Sequence, residues 1–530
     1  MKKIQMRVLT MIVLTVSILF AACQKQDGSA EKISVMVFNR GTDGGKTNPV
    51  NNAWTDWIKQ KVLEDENINV SFINIPRDQD TQSLINMLAA GGAPDICYSY
   101  STDMINHFGE LGGLFDMAPY IDTHLKDYKE FLGMDPNVPD QHLIYRMRDS
   151  LTGRIYMIPG RYLYTASQNL FIRKDWLDKL GLPLPSTKEE FYNALVAFKE
   201  RDPGNVGRNR VIPFTMTIDV RWTAGIILDP FIDPYMNTDE RWINTVIDRY
   251  NLLPGYKEGF RFLNKMFNGG LIDKDFPLHR TNEAPDNLIK SGVVGSLAGN
   301  WDHIYRENTK VLEDLKRNVP GAQLVPVDTI QSIDGLTHKR GSPPTSLMWF
   351  IPKSAKNPQA AMRYANWLAR FENYHFLQFG HEGINHEIVD GIPRLIQTSG
   401  QWIQNSAGNG DYAFNLNGYD LGDDELNIKV LANSYGWPPE TILEAYRISS
   451  TNAAPGPFVP AKLTAAAPFQ QILTDKANVF NIQSVITKPE NFDQTWDEGI
   501  KDWLASGAQA IINERREKFT ELRKKGETAE

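Results

Sequence analysis

Hydrophobic and polar positions fall into two periods along this chain. In "INVSFINI", Ile68, Val70 and Phe72 alternate with polar residues, which predicts a strand with one buried face. Just before it, Trp54, Ile58 and Val62 recur at helical spacing within "PVNNAWTDWIKQKVLEDE" and predict one apolar helix face. "KISVMVF" at 32–38 reads as a strand. "TQSLINMLAAGGAPDICYSY" gives a helix, a stop at Gly91 and Gly92, Pro94, and a third strand. The order βαβαβ favours parallel strands joined by right-handed crossovers. Ligands of such sheets gather beyond the carboxyl ends of the strands. Two segments fall there: Asn39-Arg40-Gly41, and the stretch from Tyr98 to Asp103.

A second αβ pattern begins near residue 153. "IYMIP" and "NLFIRKDWL" bracket an aromatic turn, "GRYLYTASQ". In "STKEEFYNALVAFKER", Ser186 is placed to cap a helix with Glu189 three residues on, and Phe191, Leu195 and Phe198 form its apolar face. "SGVVGSLAGNW" reads as a strand ending at Trp301, and "AAMRYANWLARF" opens a mostly helical remainder. "SIDGLTHKRGSPPTS" has the composition of an exposed loop. No internal repeat or low-complexity block interrupts these elements.

Length changes the picture, because 530 residues exceed one ordinary core and imply two or more. The 42% hydrophobic and 23% charged content is globular, and the net charge of −8 is spread without a basic cluster, which argues against a nucleic-acid partner. The first residues differ from the rest. Lys2, Lys3 and Arg7 precede the apolar run "VLTMIVLTVSILF", followed by Ala21, Ala22 and Cys23. The run is of export length and too short to span a bilayer. The Cys after small residues resembles a bacterial lipoprotein signal, in which the thiol is lipidated; Phe20 departs from the Leu usual in that motif. "QKQDGSAEK" follows as a tether. The other cysteine, Cys97, sits in an apolar run and reads as a small buried hydrophobe.

Seven strings carry a family resemblance: "LAAGGAPDI", "GRIYMIPGRY", "FIRKDWLDKLGLPLPSTKEEFYNAL", "LNKMFNGGLIDKDF", "SGVVGSLAGNW", "IPKSAKNPQAAMRYANWLA" and "FGHEGINHEIVDGIPR". In this order they resemble the family 1 extracellular solute-binding proteins of carbohydrate ABC transporters, and most of all the long lipoproteins that deliver oligosaccharides. The resemblance implies an α/β fold of two lobes, the type II periplasmic-binding-protein architecture. Each lobe is then a mainly parallel sheet flanked by helices, with a helix-rich C-terminal part. The expected division is a signal peptide at 1–22, a tether at 23–31, a first lobe from 32–150 with 321–371, and a second from 151–320 with 372–530. It implies sugar bound in the cleft, hinge closure, docking on membrane permease subunits, and a monomer held on the outer side of the cell membrane by its N-terminal lipid alone.

A sugar offers C–H faces that suit aromatic rings and a hydroxyl rim that suits carboxylates, amides and guanidinium groups. The residues expected at the cleft are Asn39, Arg40, Tyr100, Asp103, Tyr162, Tyr164, Trp222, Trp301, Asp302, Trp349 and Glu382. Trp54, Trp57, Trp367 and Trp503 lie on amphipathic faces and read as core. Arg40 and Arg161 near the cleft would permit an acidic glycan.

Catalytic patterns are weak. "HEGINH" spaces its histidines at i, i+5 with Gly383 between them, whereas two zinc ligands on one helix need i, i+4. "GNGDYA" lacks the preceding strand of a nucleotide site. "GDDELN" offers the paired carboxylates of a glycosidase in polar surroundings with nothing to raise one pKa. A secreted glycan-degrading enzyme, glycosidase or lyase, is the alternative to a receptor. Some long members of the family carry a calcium loop where this chain reads "DPGNVGRNRVIP". An EF-type loop takes oxygens from positions 1, 3, 5, 7, 9 and 12. Counted from Asp202, positions 3, 5, 9 and 12 are Gly204, Val206, Arg210 and Pro213, so no metal and no cofactor is expected at 202–213.

Overall fold

The structure is a computed structural model, and it describes residues 29–39, 48–136, 140–149, 152–306, 309–396, 410–456 and 463–525. The export signal, Cys23 and Arg40 lie outside the described residues.

The first three predicted strands are present. β1 (Glu31–Asn39) and β2 (Ile68–Pro76) pair in parallel, with Ile33 opposite Val70 and Val35 opposite Phe72. The helix Ala53–Glu66 returns between them. Its N-terminus is closed by Asn52, which accepts from the Thr55 N–H while the Thr55 hydroxyl accepts from the Asn52 N–H. Trp54, Ile58 and Val62 are buried as their spacing requires. β3 (Cys97–Ser99) is joined to β1 through the Val35–Ile96 bridge. Cys97 is fully buried, its thiol donates to the Pro94 carbonyl, and burial pushes its pKa up.

β4 (Met157–Tyr162) and β5 (Gln168–Arg173) belong to different sheets, so the chain first crosses between lobes at 163–167. In the second sheet β6 (Ile212–Thr215) lies parallel to β7 (Val294–Asn300), and β5 runs antiparallel to both β7 and β8 (Leu324–Val327). The chain recrosses through the two-residue β9 (Lys339–Arg340) to β10 (Thr345–Phe350), which runs antiparallel between β3 and β4. Both sheets are therefore mixed, because each takes in a strand arriving from the other lobe.

These pairings move the expected lobe boundaries. Residues 157–162 are hydrogen-bonded into the first sheet, and 324–327 into the second. Residues 371–379 and 412–417 also stay with the first lobe: Phe376 stacks on Trp57, and Leu416 pairs with Arg161. The segment 332–346 is not simply a loop. Ile333 and Leu336 are exposed at its tip, while Lys339 is buried and its ammonium bonds to Asp328 and to the Ile448 carbonyl. One core gathers Ile33 to Ile158 with Trp349 and Trp367, a second holds Trp176, Phe214, Phe260, Trp496 and Trp503, and a third holds Tyr164, Phe171, Trp301, Tyr305 and Tyr446.

The capping of Lys188–Arg201 differs by one residue from expectation. Thr187 is the N-cap and Glu190 the reciprocal partner, and Ser186 also donates to Glu190.

Candidate functional site

The chain crosses between the lobes beside Tyr162, at the end of β4. Its N–H donates to the Pro344 carbonyl, and its phenol lies half-buried beside Ser342. Burial raises its pKa, and Asp302, Tyr446 and Tyr100 are close enough to raise it further. Groups from both lobes therefore lie within electrostatic range of this one ring, since Tyr100 follows β3 and Asp302 follows β7. Tyr164 stands edge-on to Tyr162 at 6.2 Å and to Tyr446 at 6.1 Å, and its hydroxyl accepts from the Tyr419 N–H.

Trp301 completes this aromatic wall. Its ring meets Tyr446 edge-on at 5.5 Å and Tyr435 at 6.0 Å. Its N–H donates to the Ser167 carbonyl and its own carbonyl accepts from the Asn169 amide. Only 7% of Trp301 is exposed, so it backs the wall more than it faces solvent. Asp302 is held by a two-pronged pair with Arg306, at 2.7 and 3.0 Å, and by the Tyr435 hydroxyl at 2.8 Å.

Trp222 stands on the first turn of the helix Val220–Leu228, which follows β6, and is 36% exposed. Asp219 caps that helix, and the Gln168 amide donates to the Trp222 carbonyl at 2.6 Å. Beside Trp222, past the carboxyl ends of β6 and β7, lies a small hollow of about 10 Å³ lined by Thr217, Asn282, Asp286, Gly299 and His303. A larger groove of about 670 Å³ lies between the helices Gln470–Ile486 and Phe492–Trp503, far along the chain from these strand ends. It is an open surface furrow beside a Lys476–Asp502 ion pair, and no strand end or crossing segment lines it.

Two expected residues stand elsewhere. Trp349 is fully buried in the first core, its indole N–H donating to the Tyr128 hydroxyl at 2.9 Å and its ring against Tyr128 and Phe414. A ring enclosed on all sides has no face for a sugar. Glu382 is exposed on the turn after the helix Phe371–Phe379, where Asn385 caps the His381 N–H and buried His386 bonds the Phe379 carbonyl. The "HEGINH" motif is thus a capped turn, and no described contact ties Glu382 to the cleft.

On the first-lobe side, Asn39 is exposed at the end of β1. Tyr100 is 45% exposed, with the Arg77 guanidinium 4.9 Å from its ring centre. Asp103 opens the helix Thr102–Glu110, which packs against Ala467–Phe469 of the other lobe. Burial pushes its pKa up to about 6, against the pull of Arg515. Arg161 is committed to Asp420 at 2.8 Å. Sequence reasoning missed Arg77, Arg221, Asp248, Arg340, Tyr435 and Tyr446, which reach the junction from separate segments. Arg221 and Arg340 did lie inside strings already singled out, beside Trp222 and in the long loop.

The calcium-type loop is filled from within. Both Asp202 oxygens accept backbone N–H groups, from Val206 and Gly207, and Lys179 donates to the Pro203 carbonyl. At Gly204 a Cβ would meet the Trp176 ring at 2.6 Å, so an acidic ligand does not fit at that position. The residues present do not suit calcium. Asp423 of "GDDELN" is a helix cap, accepting from the Leu426 N–H.

The fold is that of two α/β lobes, of the type II periplasmic-binding-protein kind. Residues 47–373 match the family model "Bacterial extracellular solute-binding protein", and the chain belongs to that family. It is 23% identical over 425 residues to lipoprotein LipO of Bacillus subtilis (strain 168), covering 76% of this chain and 77% of LipO. It is 21% identical over 447 residues to the polygalacturonan/rhamnogalacturonan-binding protein YtcQ of the same organism, covering 82% of each. Among solved structures, the alginate-binding protein AlgQ2 without calcium ion shares the fold, with a TM-score of 0.65 and 19% identity over 93% of this chain and 98% of that one. Among the described residues, no helix is long and apolar enough to cross a membrane.

Proposed function

We propose that this protein is an extracytoplasmic receptor that closes its two lobes on an oligosaccharide and presents it to the permease of an ABC importer. Family membership supports solute binding, and the likeness to a polygalacturonan/rhamnogalacturonan-binding and an alginate-binding protein supports a carbohydrate. The observation that carries the reading is the chain crossing between the lobes beside the Tyr162–Tyr164–Tyr446 rings, with Tyr100 and Asp302 of opposite lobes within electrostatic range of Tyr162. Rings there bring contact area with few rotors to freeze, and the carboxylates and amides around them suit hydroxyls. A ligand bridging Tyr100 and Asp302 gains contacts only when the lobes are together, which is how binding drives a hinge.

The receptor releases its sugar unchanged, acts as a monomer, uses no metal at 202–213, and is held on the outer side of the membrane through a lipid on Cys23. A thermal-shift panel of oligosaccharides, run with an assay for new reducing ends, tests the reading. Stabilisation without new ends is expected, and turnover would replace the receptor by an enzyme.

A further inference from the structure

Next to Trp222 the junction carries a concentration of guanidinium groups. Arg221 lies 2.6 Å and Arg340 2.5 Å from the carboxylate of Asp248. The Tyr250 ring lies beneath the pair, 5.8 Å from the Arg221 guanidinium carbon and 5.5 Å from that of Arg340. Arg249 follows Asp248 in the chain and interacts electrostatically with both Arg221 and Asp248. Arg515 reaches the group from the C-terminal helix, within electrostatic range of Asp248 and of Asp103 on the first lobe. Through Arg515 the cluster lies within electrostatic range of the first lobe, and Arg221 precedes Trp222 on the same helix turn.

The protein satisfies these guanidinium groups only in part. Asp248 is ion-paired to two of them, and its side chain is 54% exposed. Asp229 lies within electrostatic range of Arg221, Arg249 bonds the Asn478 amide oxygen, and Arg515 bonds the Trp242 carbonyl. Asp219 caps its helix, and Glu514 accepts from Thr464 and Ala465. Arg221, Arg249 and Arg515 are each nine-tenths or more buried, and the Nε of each has no hydrogen-bond partner. Buried guanidinium N–H groups left unmade are costly, and the group they match is a planar oxyanion bound through two oxygens. Arg340, 37% exposed, is the member best placed to meet an incoming ligand.

We propose that the Arg221–Arg249–Arg340–Arg515 cluster is an anion subsite of the cleft that takes the carboxylate of an acidic sugar residue, so that the receptor selects oligosaccharides containing a uronic acid. This rests on the reading of the cleft as a sugar site. In the unliganded protein Asp248 stands in for the ligand carboxylate, holding Arg221 and Arg340 in place. Arg161 has no part in this, being paired to Asp420.

Matched probes test it: trimers of galacturonate, guluronate and mannuronate, each beside its carboxyl-reduced neutral counterpart, titrated by calorimetry against the full chain. At least one acidic trimer is expected to bind about tenfold or more tighter than its reduced form. That preference should shrink when salt rises from about 0.05 M to about 0.3 M, because the contact is partly exposed. Arg340→Gln should weaken the acidic trimer at least about fivefold and leave the reduced form within about twofold. Equal affinity for both members of every pair, or tight binding to neutral oligosaccharides alone, overturns the subsite and leaves the receptor reading intact. No binding of any acidic or neutral oligosaccharide overturns both.

Discussion

The two ends of the lobe junction are built on opposite principles. At one end Tyr164, Trp301, Tyr435 and Tyr446 hold one another edge to face, and the Tyr164 and Tyr435 hydroxyls have partners inside the protein. At the other end Arg221 and Arg340 share one carboxylate, and several N–H groups are unpaired. The aromatic end is finished before a ligand arrives and supplies shape. The guanidinium end is completed by what it binds and supplies discrimination. A packed wall costs little to organise on binding, whereas an unsatisfied polar cluster rejects any ligand that cannot satisfy it.

The sharpest way to separate wall from core is Trp349→Ala. Trp349 is enclosed in the first core, so truncation should cost ~3–5 kcal/mol and lower the melting temperature by several degrees, while affinity for oligosaccharide in the folded fraction stays the same. An affinity loss without destabilisation would return Trp349 to the cleft. Trp301→Ala should do both, lowering stability by ~2–3 kcal/mol through the lost contacts with Tyr435 and Tyr446 and weakening binding at least about tenfold.

Asp103 tests the charged end through pH. Its pKa is about 6 in the folded protein, above its unfolded value, so the folded state holds the proton more tightly. Its contribution to stability is greatest below the unfolded pKa and is lost as pH rises through about 6. Lowering the pH from 7 towards 4.5 should therefore relieve on the order of 2 kcal/mol, and Asp103→Asn should flatten that part of the profile. Buried Asp229, whose pKa is also pushed up to about 6, supplies a residual slope of the same sign. The smallest effect is expected from calcium or a chelator. With Asp202 bonded to Val206 and Gly207, the melting temperature should move by less than about a degree, and a shift of several degrees would mean that the loop binds metal.

Local features were legible in the sequence because local physics decides them. The buried stripe of Trp54, Ile58 and Val62 and the β1–β2 strands follow from periodicity alone. The capping box was misplaced by one residue because Ser186 and Thr187 are both competent caps, and Glu190 reaches both. The lobe boundaries were misplaced for a different reason. Which sheet takes 157–162 depends on pairing with 345–350, and nothing local encodes that register. At the site, the aromatic turn at Tyr162 and Tyr164 was readable as a run of candidate sugar-facing rings. Trp349 and Trp222 looked alike in sequence, yet one lies in a central strand and the other on an exposed helix turn. The arginine cluster was invisible because its members come from four distant segments and converge only in three dimensions.

The central claim is that an oligosaccharide is held between the lobes at Tyr162. Titration calorimetry of the wild type and of Tyr162→Ala, with the oligosaccharide that most stabilises the wild type, tests it most directly. The account predicts a loss of at least about thirtyfold in affinity, ~2 kcal/mol, in a variant that still folds. Unchanged affinity in a folded Tyr162→Ala protein would contradict it.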